Sequence, residues 1–346
     1  FRSPKAIDYK VTKVWNDANN QDGKRPESVT VQLYKKVGNA DPVAVEGKKL
    51  TLTAKDKTDD NTWVASFTNL PQYEAGKEIT YSIKEVDVPA GYEASVTGQV
   101  VTNTHTPETV VLSGTKVWKD NNNQDGKRTT SVKVQILNGD KVVQEIEVSE
   151  ATGWKFESKA LPKYENGKEI KYTVKEVAVK EYTSTVTTDK DGKYTVTNTH
   201  APEKTSVKGH KIWKDEENKD GIRPASITVK LLADGQDTGK TAVASEATGW
   251  TYEFTDLDRY KDGQAIEYSV VEVPVEGYSS KVEGFNITNT HTPEKPTPGK
   301  PNEPGKPGQK PQLPNTGEKA SNAAVVAGLA LIAVTGGLYF VSRKNK

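Results

Sequence analysis

A lysine, a glutamate and an asparagine recur together in three stretches of the sequence, each at the end of an apolar stripe. Lys13 shares its strand face with Trp15, and Asn103 shares its face with Val101, because side chains two residues apart on a strand point the same way. The three sets are Lys13, Glu85 and Asn103; Lys116, Glu176 and Asn198; and Lys211, Glu272 and Asn289.

Such a set has the groups needed to join two side chains through an amide bond. Burial lowers the pKa of a lysine and raises the pKa of a glutamate, which gives a neutral amine and a protonated acid. The amine would attack the asparagine carbonyl, the glutamate would polarise that carbonyl and shuttle the proton, and ammonia would leave. The alternative is a buried ion pair between lysine and glutamate, which is the commoner arrangement. Either way the chain acts at most once on itself, so we do not predict an enzyme.

The three sets lie in three copies of one sequence unit. TKVWNDANNQDGKRPESVTVQLY begins at residue 12 and returns in closely similar form from residues 115 and 210, and each copy ends in VTNTHTPE or a variant of it. Within a copy the apolar residues alternate with period two and Val, Ile, Thr and Tyr dominate, which predicts strands. We therefore predict an all-β fold of three tandem sandwiches, each with about seven strands. The predicted domains cover residues 8–107, 108–203 and 204–293.

The composition changes after residue 293. Residues 294–312 are rich in Pro, Gly and Lys, which predicts an extended linker. LPNTG follows at residues 313–317, and an uncharged apolar run covers residues 323–341 before a basic end. That run is long enough for one transmembrane helix, and the basic flank favours a cytoplasmic end. Residues 313–346 thus form a separate C-terminal segment.

Composition disfavours several classes of function. The 48 Lys and Arg against 47 Asp and Glu leave a net charge of +1, so nucleic acid is not a predicted partner. The chain has no Cys, and its copies carry only one closing His each, at His105, His200 and His291, so we predict neither a metal site nor a cofactor. The loop from Asp17 to Gly23 is similar to a calcium loop, but its glycine comes one position late, which favours an Asx turn. The absence of Met indicates a processed chain or a fragment.

The order of LPxTG motif, apolar span and short basic tail resembles the cell-wall sorting signal of Gram-positive surface proteins. The resemblance implies that a membrane-bound sortase cleaves between Thr316 and Gly317 and links Thr316 to an amine of peptidoglycan. The helix would hold the protein in the membrane only before sorting, and the product would lie in the cell wall on the extracellular surface. The implied recognition residues are Leu313, Pro314, Asn315, Thr316 and Gly317.

The three copies resemble the Cna-B repeats, the B-type repeats of the collagen adhesin family, which occur in Gram-positive adhesins and pilins. The motifs TKVW, NNNQDGKRP and TNTHTPE carry the resemblance over about five-sixths of the chain, while HKIW in the third copy and KEY in the second depart from it. The resemblance implies a reverse immunoglobulin-like sandwich with a Lys–Asn isopeptide bond in each copy. The implied catalytic residues are Glu85, Glu176 and Glu272.

Together these features predict the structural stalk and cell-wall anchor of a Gram-positive surface adhesin. A host extracellular-matrix ligand would then bind through an N-terminal region outside this sequence. The alternatives are repeats that bind a host matrix protein directly, and a subunit of a sortase-assembled pilus. Against them, the six Trp fall at consensus core positions, and no YPKN-like pilin motif occurs.

Overall fold

The structure, a computed structural model, describes residues 5–295. These residues form strands joined by turns and short 3-10 helices, and they contain no α-helix. The predicted all-β class is confirmed. Within this part of the chain no helix is long and apolar enough to cross a membrane. The LPNTG motif, the apolar run at residues 323–341 and nearly all of the predicted linker lie outside the described residues.

The first repeat contains nine strands and a 3-10 helix, Ala54–Asp56. The strands are β1 (Ala6–Asn16), β2 (Ser28–Val37), β3 (Val43–Thr53), β4 (Lys57–Asp59), β5 (Thr62–Pro71), β6 (Tyr73–Glu74), β7 (Lys77–Val86), β8 (Glu93–Thr97) and β9 (Val100–Thr104).

The second repeat contains eleven strands and a 3-10 helix, Glu150–Thr152. The strands are β10 (Thr109–Val110), β11 (Ser113–Lys119), β12 (Ser131–Asn138), β13 (Lys141–Ser149), β14 (Lys155–Glu157), β15 (Leu161–Pro162), β16 (Tyr164–Glu165), β17 (Lys168–Glu169), β18 (Tyr172–Glu176), β19 (Thr183–Thr188) and β20 (Tyr194–Thr199).

The third repeat contains nine strands and a 3-10 helix, Glu246–Thr248. The strands are β21 (Lys204–Lys214), β22 (Ser226–Ala233), β23 (Gln236–Ser245), β24 (Thr251–Asp258), β25 (Tyr260–Lys261), β26 (Gln264–Ala265), β27 (Tyr268–Glu272), β28 (Ser279–Glu283) and β29 (Asn286–Thr290).

Each repeat is built from two main sheets. In the first repeat the orders are β4-β5-β1-β9-β8 and β3-β2-β7-β6. The first and last long strands, β1 and β9, are adjacent and parallel, while β1 and β5 are antiparallel. The third repeat keeps this plan, with the orders β24-β21-β29-β28 and β23-β22-β27 and with β21 parallel to β29. The chain therefore enters and leaves each of these repeats along two hydrogen-bonded neighbours.

Period-two alternation places the core between the two sheets. Val11 and Val101 come from one sheet, and Val31, Leu33 and Leu52 come from the other; all five are fully buried. Burying one such side chain stabilises the fold by roughly 1.5–3 kcal/mol before the entropy cost of ordering is counted. The polar residues between them face outward along the same strands, as in the burial pattern of β2.

The chain divides into two compact units, and the border falls inside the second repeat. Of the described residues, the first unit contains residues 5–116, 131–177 and 186–196, and the second contains residues 117–130, 178–185 and 197–295. Each unit therefore contains one joint between consecutive repeats.

Candidate functional site

In the first repeat the two sheets bring a lysine, a glutamate and an asparagine together inside the sandwich. Lys13 comes from β1 and Asn103 from β9; their parallel pairing sets Trp15 opposite Asn103. Glu85 comes from β7 in the facing sheet. The side chain of Lys13 is 0% exposed, that of Glu85 is 1% exposed, and Asn103 is fully buried. All three groups are therefore removed from water.

The contacts within this set centre on one glutamate oxygen. Nζ of Lys13 lies 3.9 Å from Oε1 of Glu85, and Nδ2 of Asn103 donates to the same oxygen at 2.9 Å. Among residues 5–295 there is no hydrogen-bond partner for Lys13 Nζ, Glu85 Oε2 or Asn103 Oδ1. A buried ion pair stabilises a protein only when its remaining donors and acceptors are satisfied, so this set makes a poor ion pair.

Burial shifts the proton equilibria of Lys13, Lys211 and Glu272 toward their neutral forms. Loss of hydration lowers the pKa of Lys13 to about 8, against the opposing charge of Glu85. The same cause lowers the pKa of Lys211 to about 8 and raises the pKa of Glu272. A neutral amine is a nucleophile, and a protonated carboxyl is a general acid.

The third repeat reproduces the full arrangement, and the second reproduces its lysine–glutamate pair without a hydrogen bond from the asparagine to the glutamate. In the third repeat Lys211 Nζ lies 3.3 Å from Oε2 of Glu272, and Nδ2 of Asn289 donates to Oε1 at 2.7 Å. In the second repeat Lys116 Nζ lies 3.5 Å from Oε2 of Glu176, and both side chains are 0% exposed. Asn198 is also fully buried.

This geometry can support amide formation between side chains. The lysine amine would attack Cγ of the asparagine, the Cγ–Nδ2 bond would break, and Nδ2 would leave as ammonia with a proton taken from the amine. In the first and third repeats the glutamate is within hydrogen-bond distance of the leaving nitrogen, where it can move that proton. The product would join β1 to β9 in the first repeat and β21 to β29 in the third.

A second buried cluster fixes the loop that follows β1. The Asp17 side chain accepts from the backbone amide of Asn20, three residues on, at 3.0 Å, which differs from the predicted Asx turn, where the bond runs to the amide two residues on. It also accepts two bonds from Arg25, both at 2.8 Å, and one from the Tyr92 hydroxyl at 2.7 Å. Burial opposes ionisation, but these bonds hold the pKa of Asp17 below its usual range. This cluster is not among the predicted sites, although the Asp-to-Arg spacing of eight residues recurs in every copy.

The histidine near the end of each repeat forms hydrogen bonds with groups of the same repeat. Nε2 of His105 lies 2.7 Å from Oδ2 of Asp22, and Nδ1 lies 2.7 Å from the carbonyl of Gly91. Both partners are acceptors, so the doubly protonated ring satisfies them best. The Glu108 backbone donates to the same Asp22 oxygen, which ties the domain exit to the loop. In the part of the chain that the structure describes, no three His, Asp or Glu residues are placed to hold a metal ion.

Comparison with known proteins gives two family matches. The family described as Cna protein B-type domain matches residues 9–104, 112–199 and 207–290. The family described as LPXTG cell wall anchor motif matches residues 305–346. A curated relative, a collagen adhesin of Staphylococcus aureus, is 41% identical over 295 residues, which are 82% of this chain and 24% of the relative. The chain therefore spans about a quarter of that protein's length.

Two solved structures from the collagen-binding protein of Staphylococcus aureus are also similar. A structure of two B repeat units is 38% identical, with a TM-score of 0.46, covering 84% of this chain and 74% of that chain. A structure of a single B repeat unit is 43% identical, with a TM-score of 0.26, covering 54% of this chain and all of that chain.

Proposed function

Because the chain belongs to the family of Cna protein B-type domains, we propose that its three repeats form an adhesin stalk in which each repeat is locked by one Lys–Asn isopeptide bond. The protein is a structural protein of the cell wall, exposed on the surface of a Gram-positive bacterium. We propose repeat boundaries at residues 8–107, 108–203 and 204–293.

The observation that carries the proposal is the buried lysine and glutamate in each repeat, with an asparagine bonded to the same glutamate in the first and third. Lys13 lies on the first long strand of its repeat and Asn103 on the last. These strands run parallel, so a pull on the two ends of the repeat shears them past each other. A covalent link between Lys13 and Asn103 would carry that force in place of the hydrogen bonds and leave the intervening residues unloaded.

Anchoring completes the proposed function. We propose that sortase recognises Leu313 to Gly317, cleaves after Thr316 and joins Thr316 to peptidoglycan, after residues 323–341 have held the chain transiently in the membrane. Residues 294–312 would then extend as the linker through the wall. The family match to the anchor motif supports this assignment.

We assign adhesion itself to another part of the parent protein. The similar curated protein is named a collagen adhesin, and this chain corresponds to about a quarter of it. We propose a host extracellular-matrix ligand for a region outside these repeats, which the stalk would hold away from the cell surface.

The anchoring proposal is tested in a Gram-positive host with and without its sortase. The full chain, fused to a secretion signal, should be released from the wall fraction only by peptidoglycan digestion, and only when sortase is present. Pro314→Ala should leave it in the membrane and medium fractions. Asn315→Ala, at the variable position of the motif, is the matched control and should anchor normally. Equal anchoring of both variants, or anchoring without sortase, would refute the assignment.

A further inference from the structure

Consecutive repeats meet through one loop and one hairpin. We call residues 20–24 (Asn-Gln-Asp-Gly-Lys), with residues 123–127 and 218–222, the donor loops. We call residues 164–168, with residues 73–77 and 260–264, the acceptor hairpins. Each joint described below lies inside one compact unit of the chain.

The donor loop of the first repeat binds the acceptor hairpin of the second through its backbone. The Gly167 amide donates to the Gln21 carbonyl at 2.9 Å, and Nε2 of Gln21 donates to the Tyr164 carbonyl at 3.3 Å. A Cβ atom at Gly23 would lie 2.6 Å from the Gly167 Cα, so only glycine allows this approach. Nζ of Lys24 lies 5.4 Å from the ring centroid of Tyr164.

The second joint repeats these contacts with different residues. The Gly263 amide donates to the Gln124 carbonyl at 2.9 Å, and Nε2 of Gln124 donates to the Tyr260 carbonyl at 3.1 Å. A Cβ at Gly126 would lie 2.8 Å from the Gly263 Cα. Because two separate pairs of elements make the same contacts, the loop and hairpin form a built docking pair.

The first repeat carries an acceptor hairpin that no donor loop covers within the described residues. Tyr73 is 56% exposed, whereas Tyr260, at the same position of a covered hairpin, is 1% exposed. A Cβ built at Gly76 meets nothing within 4 Å. The backbone hydrogen bond just before this hairpin is the same as in a covered one. The Gln72 amide donates to the Lys5 carbonyl, as the Lys163 amide donates to the Glu108 carbonyl.

We propose that the hairpin at residues 73–77 is a docking surface for the donor loop of another repeat of this kind, with the sequence Asn-Gln-Asp-Gly-Lys. The loop of the third repeat is a poor occupant. It carries Lys219 in place of the glutamine and Ile222 in place of the lysine, so it lacks both the amide donor and the cation for the tyrosine ring. The occupant is thus a repeat like the first or second, not the third repeat of a second copy.

The test extends the full chain at its N-terminal side. A duplicate of residues 8–107 is placed directly ahead of Lys5, which reproduces the spacing of the Pro107 to Glu108 joint. The duplicate is labelled with 15N and joined by segmental ligation, so its peptides differ in mass from those of the original repeat. Hydrogen exchange read at single amides by mass spectrometry then compares Gly76 of the original repeat with Gly167 and Gly263. In the unextended chain Gly76 should exchange faster than the other two. In the extended chain it should slow at least about fivefold, the protection from one hydrogen bond of ordinary net strength.

A matched control separates the effect of the loop side chains from the effect of placing any folded repeat next to the hairpin. In it the duplicate carries Gln21→Lys and Lys24→Ile, the residues that the third repeat has at these positions. Gly76 should then exchange nearly as fast as in the unextended chain. Slow exchange in the β2 strand of the duplicate reports that it has folded. An unslowed Gly76 beside a folded duplicate, or equal slowing by both loops, would overturn the proposal.

Discussion

Replacing the buried lysine and glutamate of the first repeat together distinguishes a covalent link from an ion pair. Lys13→Met and Glu85→Gln keep side chains of similar volume in the core and remove both charges. If the two residues form only an ion pair, the double substitution should leave the stability unchanged or raise it by roughly 1–4 kcal/mol. If Lys13 is bonded to Asn103, the substitution removes that bond and must lower the stability.

The size of the loss follows from the position of the bond in the chain. Roughly 90 residues separate Lys13 from Asn103. Closing a loop of that length removes unfolded-state entropy worth about 4.6 kcal/mol at 25 °C, by the relation used for disulfides. Each 1 kcal/mol moves the melting temperature of a domain of about 100 residues by roughly 4–8 °C. The first repeat should therefore melt roughly 20 °C lower, or more.

Scanning calorimetry of the full chain measures this shift, with the second and third repeats as internal references. The matched control is Lys35→Met with Glu74→Gln, which removes a pair 3.2 Å apart whose side chains are 30% and 50% exposed. Such a surface pair contributes about 0–1 kcal/mol, so the control should barely move the transition. A first repeat that melts at the same or a higher temperature after Lys13→Met and Glu85→Gln would refute the covalent link.

Two further predictions concern the clusters around the first loop. Burial alone would lower the pKa of His105, but its bonds to Asp22 and to the Gly91 carbonyl raise it above 6.5. Protonated His105 therefore adds to the free energy of unfolding of the first repeat. This contribution is complete below pH 6.5 and is lost as the pH rises through the folded pKa. Urea unfolding of the first repeat should show this loss, and His105→Gln should abolish the pH dependence. If the pH dependence of the first repeat survives His105→Gln, this assignment fails. Tyr92→Phe removes the hydroxyl that donates to Asp17 and should lower the unfolding free energy by about 1–3 kcal/mol. Tyr73→Phe, at a largely exposed ring, should change it by less than about 0.5 kcal/mol, and equal effects in urea unfolding would contradict the role of the Asp17 bond.

Strand alternation was sufficient to predict the fold class and the orientation of the key side chains. Val11, Lys13 and Trp15 follow one another at period two, and all three are buried. Parity decides this, because a shift of one residue would turn the whole apolar set to solvent. The meeting of Glu85 with Lys13 depends on how two sheets pack, which no local pattern encodes. Only the recurrence of the three residue types in every copy indicated it.

The features that the sequence analysis missed depend on contacts between distant side chains. Asp22 and His105 are 83 residues apart, and a single sequence carries no signal that pairs them. The tryptophans also differ between repeats: Trp63 is buried on a strand, whereas Trp154 and Trp250 are half-buried and have positive φ angles. Before Trp154 and Trp250, a glycine with a left-handed backbone conformation ends a 3-10 helix. This turn interrupts the period-two alternation on which the strand prediction depends.

The intact mass of the full 346-residue chain tests the covalent stalk most directly. Each isopeptide bond expels one ammonia, so the mass should fall below the sequence mass by about 17 Da per bond, or about 51 Da for three. Lys13→Ala, Lys116→Ala and Lys211→Ala, combined stepwise, should each reduce this deficit by about 17 Da when each variant is compared with its own sequence mass. A wild-type mass equal to the sequence mass would contradict the account and leave the three sets as buried, unlinked side chains.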